Sequence, residues 1–573
     1  MSEFNNPFEY DAAANLPLEV IEKVYIEDHN YSRFILSNRN IYLLGERGSG
    51  KSMMLIYNSF KLKSVIAEHA GTQLNSNFIG IHVPCKRPLF NKTEYELLED
   101  TNLAALLSEH YFVLVILHSL GGELEASKTI NEQLLQSDFY SDFEYIIGEQ
   151  LPRKDNCFTA LKMFAQKQLN HIEQVQSDIE KTLVQTTFYS FHSLVIPVLE
   201  LIKSCDALSS SHFMIMIDDA HDLNEFQIKK INSWVSYRDH SLFSMKVATA
   251  DVYKHDMQTD FGGCIVEGHD FMSINMEKNL QGANSPFNKL AKDIIERRLS
   301  FFVPNVTAEE FFPTNPKLVS DIEKCRLKIS KTFDDENPNA TAKQKNDYLY
   351  KKTRVAYFRN RATKANRPPY SGFDILVHAS TGVIRNLLAP CYAMYDLAYS
   401  ESQKTPDHIT PKIQQDILME QSEKLWTQLR TKKLSNELIE CTEQQAASIH
   451  NFFECLGDLF TERLKTHDSE PRIITFTISG MTDEYRAMIE PAFNIARKAL
   501  LLYERSGPAK DSGRRETYYV PNRMLWIARG LDPVGQHGRV SLPAKAIIAS
   551  FEGKTFPYIE HNSSLGTQQE IGF

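Results

Sequence analysis

The chain has 573 residues, 42% apolar and 24% charged, with a net charge of −10. Such a length suggests about three or four compact units with a substantial core, in an ordinary globular composition. The acid excess excludes a wholesale nucleic-acid coat, so any contact with DNA or RNA must come from local basic patches. The eight cysteines (Cys85, Cys157, Cys205, Cys264, Cys325, Cys391, Cys441, Cys455) are scattered, with no C-x-x-C and no His at ligand spacing. They read as free thiols of a reducing, cytoplasmic compartment rather than a metal site or disulfide framework. The opening residues Met1-Ser2-Glu3-Phe4-Asn5-Asn6 carry no signal pattern. No run of about 18 apolar residues stands out, so no membrane span is expected.

In chain order, residues 1–39 form a lead-in with a helical pattern around Leu18–Val24. The apolar run Asn40–Leu44 predicts a strand, and Met53–Tyr57 predicts a helix. Between them stands Gly45-Glu46-Arg47-Gly48-Ser49-Gly50-Lys51-Ser52, which fits G-x-x-x-x-G-K-[ST] in the strand–loop–helix setting that a phosphate-binding loop requires. Gly45, Gly48 and Gly50 let the backbone curl so that its N–H groups converge on phosphate oxygens at a helix N-terminus. Lys51 would contact the outer phosphates, and the Ser52 hydroxyl would hold Mg²⁺. The pattern implies binding of a nucleoside triphosphate.

Phe78–Pro84 predicts a second strand, and about 95–205 a large helical insertion, a structural or partner-binding element. His212–Ile217 holds several consecutive apolar residues, as in a parallel strand buried on both faces, and it ends on Asp218-Asp219. Acids at a strand C-terminus lie where ligands bind in open α/β sheets. Asp218 would hold Mg²⁺ through water, and Asp219 sits where a base or water-positioning group belongs. A helix at 224–237, a strand at 242–250 ending near Thr249, a short strand at 271–274 and a helix at 287–299 with Arg297-Arg298 complete an αβα nucleotide-binding sandwich.

Residues 310–372 hold an acidic turn, Asp334–Asn339, and a basic run through Lys351, Lys352, Arg354, Arg359, Arg361, Lys364 and Arg367. The run reads as a solvated helix and linker, with phosphate contact as the alternative. Past Gly382 a helix begins with Arg385 on its first turn. Helices at 412–430 and 443–465, a strand at 472–478, a helix at 483–498 and two alternating runs flanking Lys510, Arg514 and Arg515 suggest a winged helix with a basic hairpin tip. The expected division is 1–39, a core at 40–308, a helical lid at 309–404 and a winged-helix-like domain at 405–573.

With these motifs in place, the chain resembles AAA+ ATPases of the origin-recognition and replication-initiator type over about residues 7–400. The resemblance implies an α/β P-loop core, ATP and Mg²⁺ as ligands, Thr249 as a first sensor and Arg385 as a second sensor reaching the γ-phosphate from the lid. It further implies homo-oligomers formed with ATP, and DNA bound through the winged hairpin. Chains beginning near Asn-Pro-Phe (Asn6-Pro7-Phe8) also look like bacterial ATPases of mobile elements and phage-defence operons. That adds a defence signalling NTPase scaffolding a separately encoded effector, or a DNA-binding initiator, as alternatives.

Two positions depart from the family pattern. Asp219 stands where the family usually has Glu, which predicts slow hydrolysis or a switch driven mainly by ATP binding. Asp251–Asp270, where the arginine finger usually lies, contains no Arg, leaving Arg238, Arg297 and Arg298 as substitutes.

Overall fold

The apolar runs flanking both nucleotide motifs become strands of one sheet. The computed structural model describes residues 5–9, 13–27, 32–85, 101–175, 187–237, 241–250, 257–276, 286–362, 367–431, 441–466, 474–508, 515–534 and 539–557. Strands β1 (Ile41–Leu44), β2 (Phe78–Pro84), β3 (His212–Asp218), β4 (Phe243–Thr249) and β5 (Met272–Asn275) lie in the order β2-β3-β4-β1-β5. Every neighbouring pair is parallel. All positions of β3 and β4 are buried, as in strands covered on both faces. The register sets Thr249 beside Leu44 and Asp218 beside Pro84, so the functional strand ends meet at the C-terminal end of the sheet.

Between β2 and β3 runs the helical insertion, including Thr101–Leu124, Lys128–Gln136, Phe139–Ile147, Cys157–Val175 and Ile196–Lys203. Its central helix buries Phe112, Val113, Leu114, Ile116 and Leu117 completely. A Cβ at Gly121 would fall 2.9 Å from the Phe158 carbonyl oxygen, so the two long helices pack closely only over glycine. The stretch Asn102–Leu124 has a mean hydropathy of 1.6 and is long and apolar enough to cross a membrane, yet 67% of its most apolar window is buried within the protein. Its polar groups are held internally: Glu109 pairs with Lys230 at 2.7 Å, and His110 Nδ1 accepts the Tyr189 N–H at 3.1 Å.

The described chain forms two compact units that divide at 278/279, with residues 5–9 belonging to the second. Composition alone placed boundaries at 308/309 and 404/405. The lid and the C-terminal part instead form one unit because long-range polar contacts join them. Arg354 forks onto Asp532 at 3.0 and 2.7 Å, the Tyr370 hydroxyl donates to the Leu531 carbonyl at 2.8 Å, and the Arg523 N–H donates to Thr381 Oγ1 at 2.9 Å. Three more arginines of the basic run are also engaged within the chain. Arg361 pairs with Asp321 at 3.0 Å, Arg359 donates to the Leu464 carbonyl at 2.8 Å, and Arg367 pairs with Glu423 at 3.3 Å. Lys364 lies outside the described residues.

The second unit holds a four-stranded sheet of β6 (Thr475–Ser479), β7 (Leu502–Pro508), β8 (Arg515–Pro521) and β9 (Arg539–Pro543), ordered β7-β8-β6-β9. β7 and β8 form the expected antiparallel hairpin, but β6 also pairs in parallel with β9, making the sheet larger than a two-stranded wing. Helices Glu443–Thr466 and Asp483–Lys498 share its core through Phe452, Phe476, Phe493 and Trp526. Lys510 and Arg514 of the hairpin tip lie outside the described residues, and Arg515 is exposed.

Candidate nucleotide site

The phosphate loop turns where its glycines permit. Gly48 and Gly50 adopt φ of 84° and 97°, and Gly50 starts the helix Lys51–Tyr57. Such angles cost a side-chain-bearing residue about 1–2 kcal/mol. Gly45 is needed for a second reason, since a Cβ there would meet Ser49 Oγ at 2.8 Å. The Glu46 carbonyl accepts the Ser49 N–H at 3.2 Å and closes the loop. Arg47 donates to His221 Nε2 from Nε at 3.2 Å and reaches Asp222 at 3.5 Å, tying the loop to the turn after β3.

Lys51 is 5% exposed, and its ammonium donates to the Gly45 carbonyl at 2.6 Å and the Glu46 carbonyl at 3.1 Å. Burial lowers its pKa, opposed by the charges of Asp219, Asp218 and Glu46. The Ser52 hydroxyl donates to Asp218 Oδ1 at 3.1 Å, and the Asp219 N–H reaches the same oxygen at 3.1 Å. His82 Nε2, from the middle of the neighbouring strand β2, lies 3.1 Å from Asp218 Oδ2. Burial by itself raises the Asp218 carboxyl, but His82, Ser52 and Lys51 outweigh it and hold the group below its usual value. Asp219 moves the other way: burial, then repulsion from Asp218, raise it to about 6. It adopts φ 57°, left-handed geometry that Asp tolerates better than most residues.

At the end of β4, Thr249 is 2% exposed, and its Oγ1 has no hydrogen-bond partner among the described residues; neither has Ser49 Oγ. Buried hydroxyls normally find partners, so both fit a site shaped for an oxygen-rich ligand. The donor set also fits Mg²⁺, because a serine hydroxyl and a carboxylate are hard oxygen donors and this ion keeps several waters and phosphate oxygens of its own. Among the described residues no group of three or more His, Cys, Asp or Glu is built to hold a metal alone.

The other sequence candidates lie elsewhere. Arg238 falls outside the described residues. Arg298 is 5% exposed and donates to the Pro7 carbonyl at 3.1 Å and the Glu9 carbonyl at 2.7 Å, so it braces the second unit rather than reaching outward. Arg297, one position earlier, lies 5.7 Å from the centre of the Phe301 ring. Arg385 is half-buried on the first turn of the helix Ile384–Ser402 in the second unit. Sequence reasoning missed His82 and His221. The available signal was a single imidazole within each of two motif-bearing stretches, Phe78–Pro84 and the residues just after Asp219.

A phosphate loop, a Ser–Asp pair at its helix and a polar residue ending β4, on a parallel sheet of this order, define a P-loop nucleotide-binding protein of the AAA+ type. The chain belongs to the ORC-CDC6-like family, whose model matches residues 6–339 and 318–542. Proteins of this family generally bind ATP and are ATPases. No curated protein sequence matches the chain. Among solved structures, the crystal structure of Cdc6p from Pyrobaculum aerophilum is similar over 95% of this chain and 96% of that one, at 10% identity and a TM-score of 0.27. At that score the likeness adds nothing to the family assignment.

Proposed function

We propose that this chain is an ATP-binding and slowly hydrolysing switch that assembles with ATP and acts on nucleic acid. The observation that carries the reading is the cluster of Lys51, Ser52, Asp218 and the unpartnered Thr249 hydroxyl at the C-terminal end of the sheet. On this reading Lys51 exchanges the loop carbonyls for phosphate oxygens. Ser52 and Asp218 would hold Mg²⁺, which would supply positive charge against the phosphates. Thr249 orients the terminal phosphate or the attacking water. Asp219, with a carboxyl near 6, remains ionised at neutral pH while still basic enough to draw a proton from that water. Its side chain is one methylene shorter than the family's usual Glu, which supports slow turnover.

Arg385 serves as the lid's sensor, and Arg297 remains a candidate for the finger. Support for nucleic acid comes from the antiparallel hairpin β7–β8, whose exposed Arg515 adjoins the tip. Particle mass with and without ATP and duplex DNA tests the reading. ATP-driven assembly that recruits DNA supports it. Assembly that ignores DNA and instead retains a separately encoded effector would favour signalling in phage defence, and absence of nucleotide binding would remove the whole reading.

A further inference from the structure

The site holds a residue that neither nucleotide motif contains. His82 sits within β2, and its ring nitrogen Nε2 lies 3.1 Å from Asp218 Oδ2. Both side chains are largely enclosed, with 13% and 5% exposure. An ionised carboxylate only accepts hydrogen bonds, so Nε2 carries the proton and Nε2–H donates. Asp218 therefore has its two oxygens assigned to different tasks. Oδ2 is taken by His82, while Oδ1 faces Ser52 and the Asp219 N–H.

The insertion comes close to β2 at this point. Glu123, at the end of the long insertion helix, is 9% exposed and accepts the Lys61 N–H at 2.8 Å. Burial raises the Glu123 carboxyl, and the neighbouring Lys61 and His82 oppose that rise. The insertion thus places Glu123 near β2 at His82, while the ring reaches across to β3. Because β2 and β3 are parallel neighbours with Pro84 beside Asp218, the ring extends along the sheet edge to the carboxylate.

We infer that His82 is a positioning residue for the magnesium-binding carboxylate: it fixes the Asp218 rotamer so that Oδ1, beside the Ser52 hydroxyl, is the oxygen presented to the ion. The inference rests on the proposed ATP site and deepens it. A carboxylate free to rotate offers the ion several geometries, whereas one fixed by an outer hydrogen bond offers one. Loss of such a partner typically costs about 10–100-fold in metal affinity. His82 touches neither nucleotide nor reacting atoms in this role, so its loss acts through the ion and leaves metal-free nucleotide binding alone.

The test uses the full chain with His82→Leu, which keeps bulk but cannot donate, and His82→Gln, whose amide can donate from a comparable reach. Fluorescent ATP binding is titrated with Mg²⁺ and repeated in EDTA, and thermal melting checks each fold. Expected is a rise of about 10-fold or more in the Mg²⁺ concentration that half-saturates the magnesium-dependent signal of His82→Leu. Affinity in EDTA should stay within about 2-fold of the parent, and His82→Gln should recover most of the loss. An unchanged Mg²⁺ requirement in His82→Leu overturns the inference. So does an equal loss with and without Mg²⁺, which would mark a packing role. If the parent itself binds no nucleotide, the ATP reading fails rather than the assignment of His82 within it.

Discussion

The Arg298 guanidinium donates to the carbonyl oxygens of Pro7 and Glu9, binding the start of the chain into the second compact unit. Phe8, between them, is fully buried against Phe311, Phe312 and Tyr395, and the Asn6 amide donates to the Tyr392 carbonyl at 3.0 Å. The Asn-Pro-Phe signature is thus a plug: Asn6 accepts the Phe8 N–H at 2.9 Å and shapes the turn that delivers the ring. Burial lowers the Arg298 pKa to about 10, which still leaves it charged at neutral pH.

Arg298→Met should therefore leave two backbone carbonyls unsatisfied and destabilise the second unit by about 2–4 kcal/mol. Differential scanning calorimetry of the full chain reads this as a lowered transition, with nucleotide affinity retained in the first unit. A variant that melts with the parent would show that water replaces the guanidinium at no cost.

Lys51→Ala removes charge-assisted contacts with phosphate worth about 1.5–3 kcal/mol, or roughly 10–100-fold in affinity. Isothermal titration with ATP should show that loss, and turnover should disappear with it. Parent-like turnover in the variant would dissolve the phosphate-loop assignment.

The phosphate loop and Asp218 were legible because each is contiguous: glycines, lysine and serine fall within eight positions, and the buried strand leads straight into its acids. The hairpin β7–β8 was legible for the same reason, from alternation on both sides of a polar turn. His82 was not, because its meaning lies in a carboxylate 136 positions away that only strand order brings close. The merging of lid and C-terminal domain was equally hidden, since Arg354 and Asp532 are 178 positions apart. Composition read the arginines of that helix as solvated or phosphate-binding, whereas Arg354, Arg359 and Arg361 are internal braces. The helix Thr101–Leu124 was legible too, since the run from Ala104 through Leu120 is apolar enough to suit a buried helix.

Asp219→Glu tests whether side-chain length limits hydrolysis. The longer carboxylate should preserve or raise the single-turnover rate, while Asp219→Asn should lose it. The left-handed backbone at this position disfavours Glu more than Asp, so a small drop in melting temperature should accompany the gain. A large rate loss in Asp219→Glu would mean that the site is built around Asp.

Lys246 in β4 is fully buried, and its amine donates to the Ser37 carbonyl at 2.7 Å and to the Arg39 carbonyl. Burial lowers its pKa from 10.5 to about 7, and a neutral amine retains two N–H donors for those two acceptors. Between pH 7 and 10.5 the unfolded chain holds a proton that the folded chain has released, so this group makes stability rise with pH across that window. Urea denaturation at pH 7 and 9 should show the rise in the parent and a flatter response in Lys246→Met. Equal pH responses would mean that the buried amine keeps its proton.

Arg385 occupies the first turn of the helix Ile384–Ser402, and it makes no hydrogen bond or ion pair among the described residues. Its surroundings are rigidly built. Val383 is fully buried with Tyr503, Tyr518 and Val520 of the hairpin, and Asn386 donates to the Tyr503 hydroxyl at 2.9 Å and the Ser380 carbonyl at 3.3 Å. A side chain without internal partners on a fixed turn can be removed without disturbing the fold. A guanidinium stays charged and forks onto two oxygens, which suits it to a γ-phosphate. If that contact forms only with the triphosphate, Arg385→Ala should bind ADP like the parent while assembling only at about 10-fold higher ATP or not at all. Oligomer mass against ATP concentration measures this directly. Superimposable curves for variant and parent would leave the lid without an arginine sensor at this position.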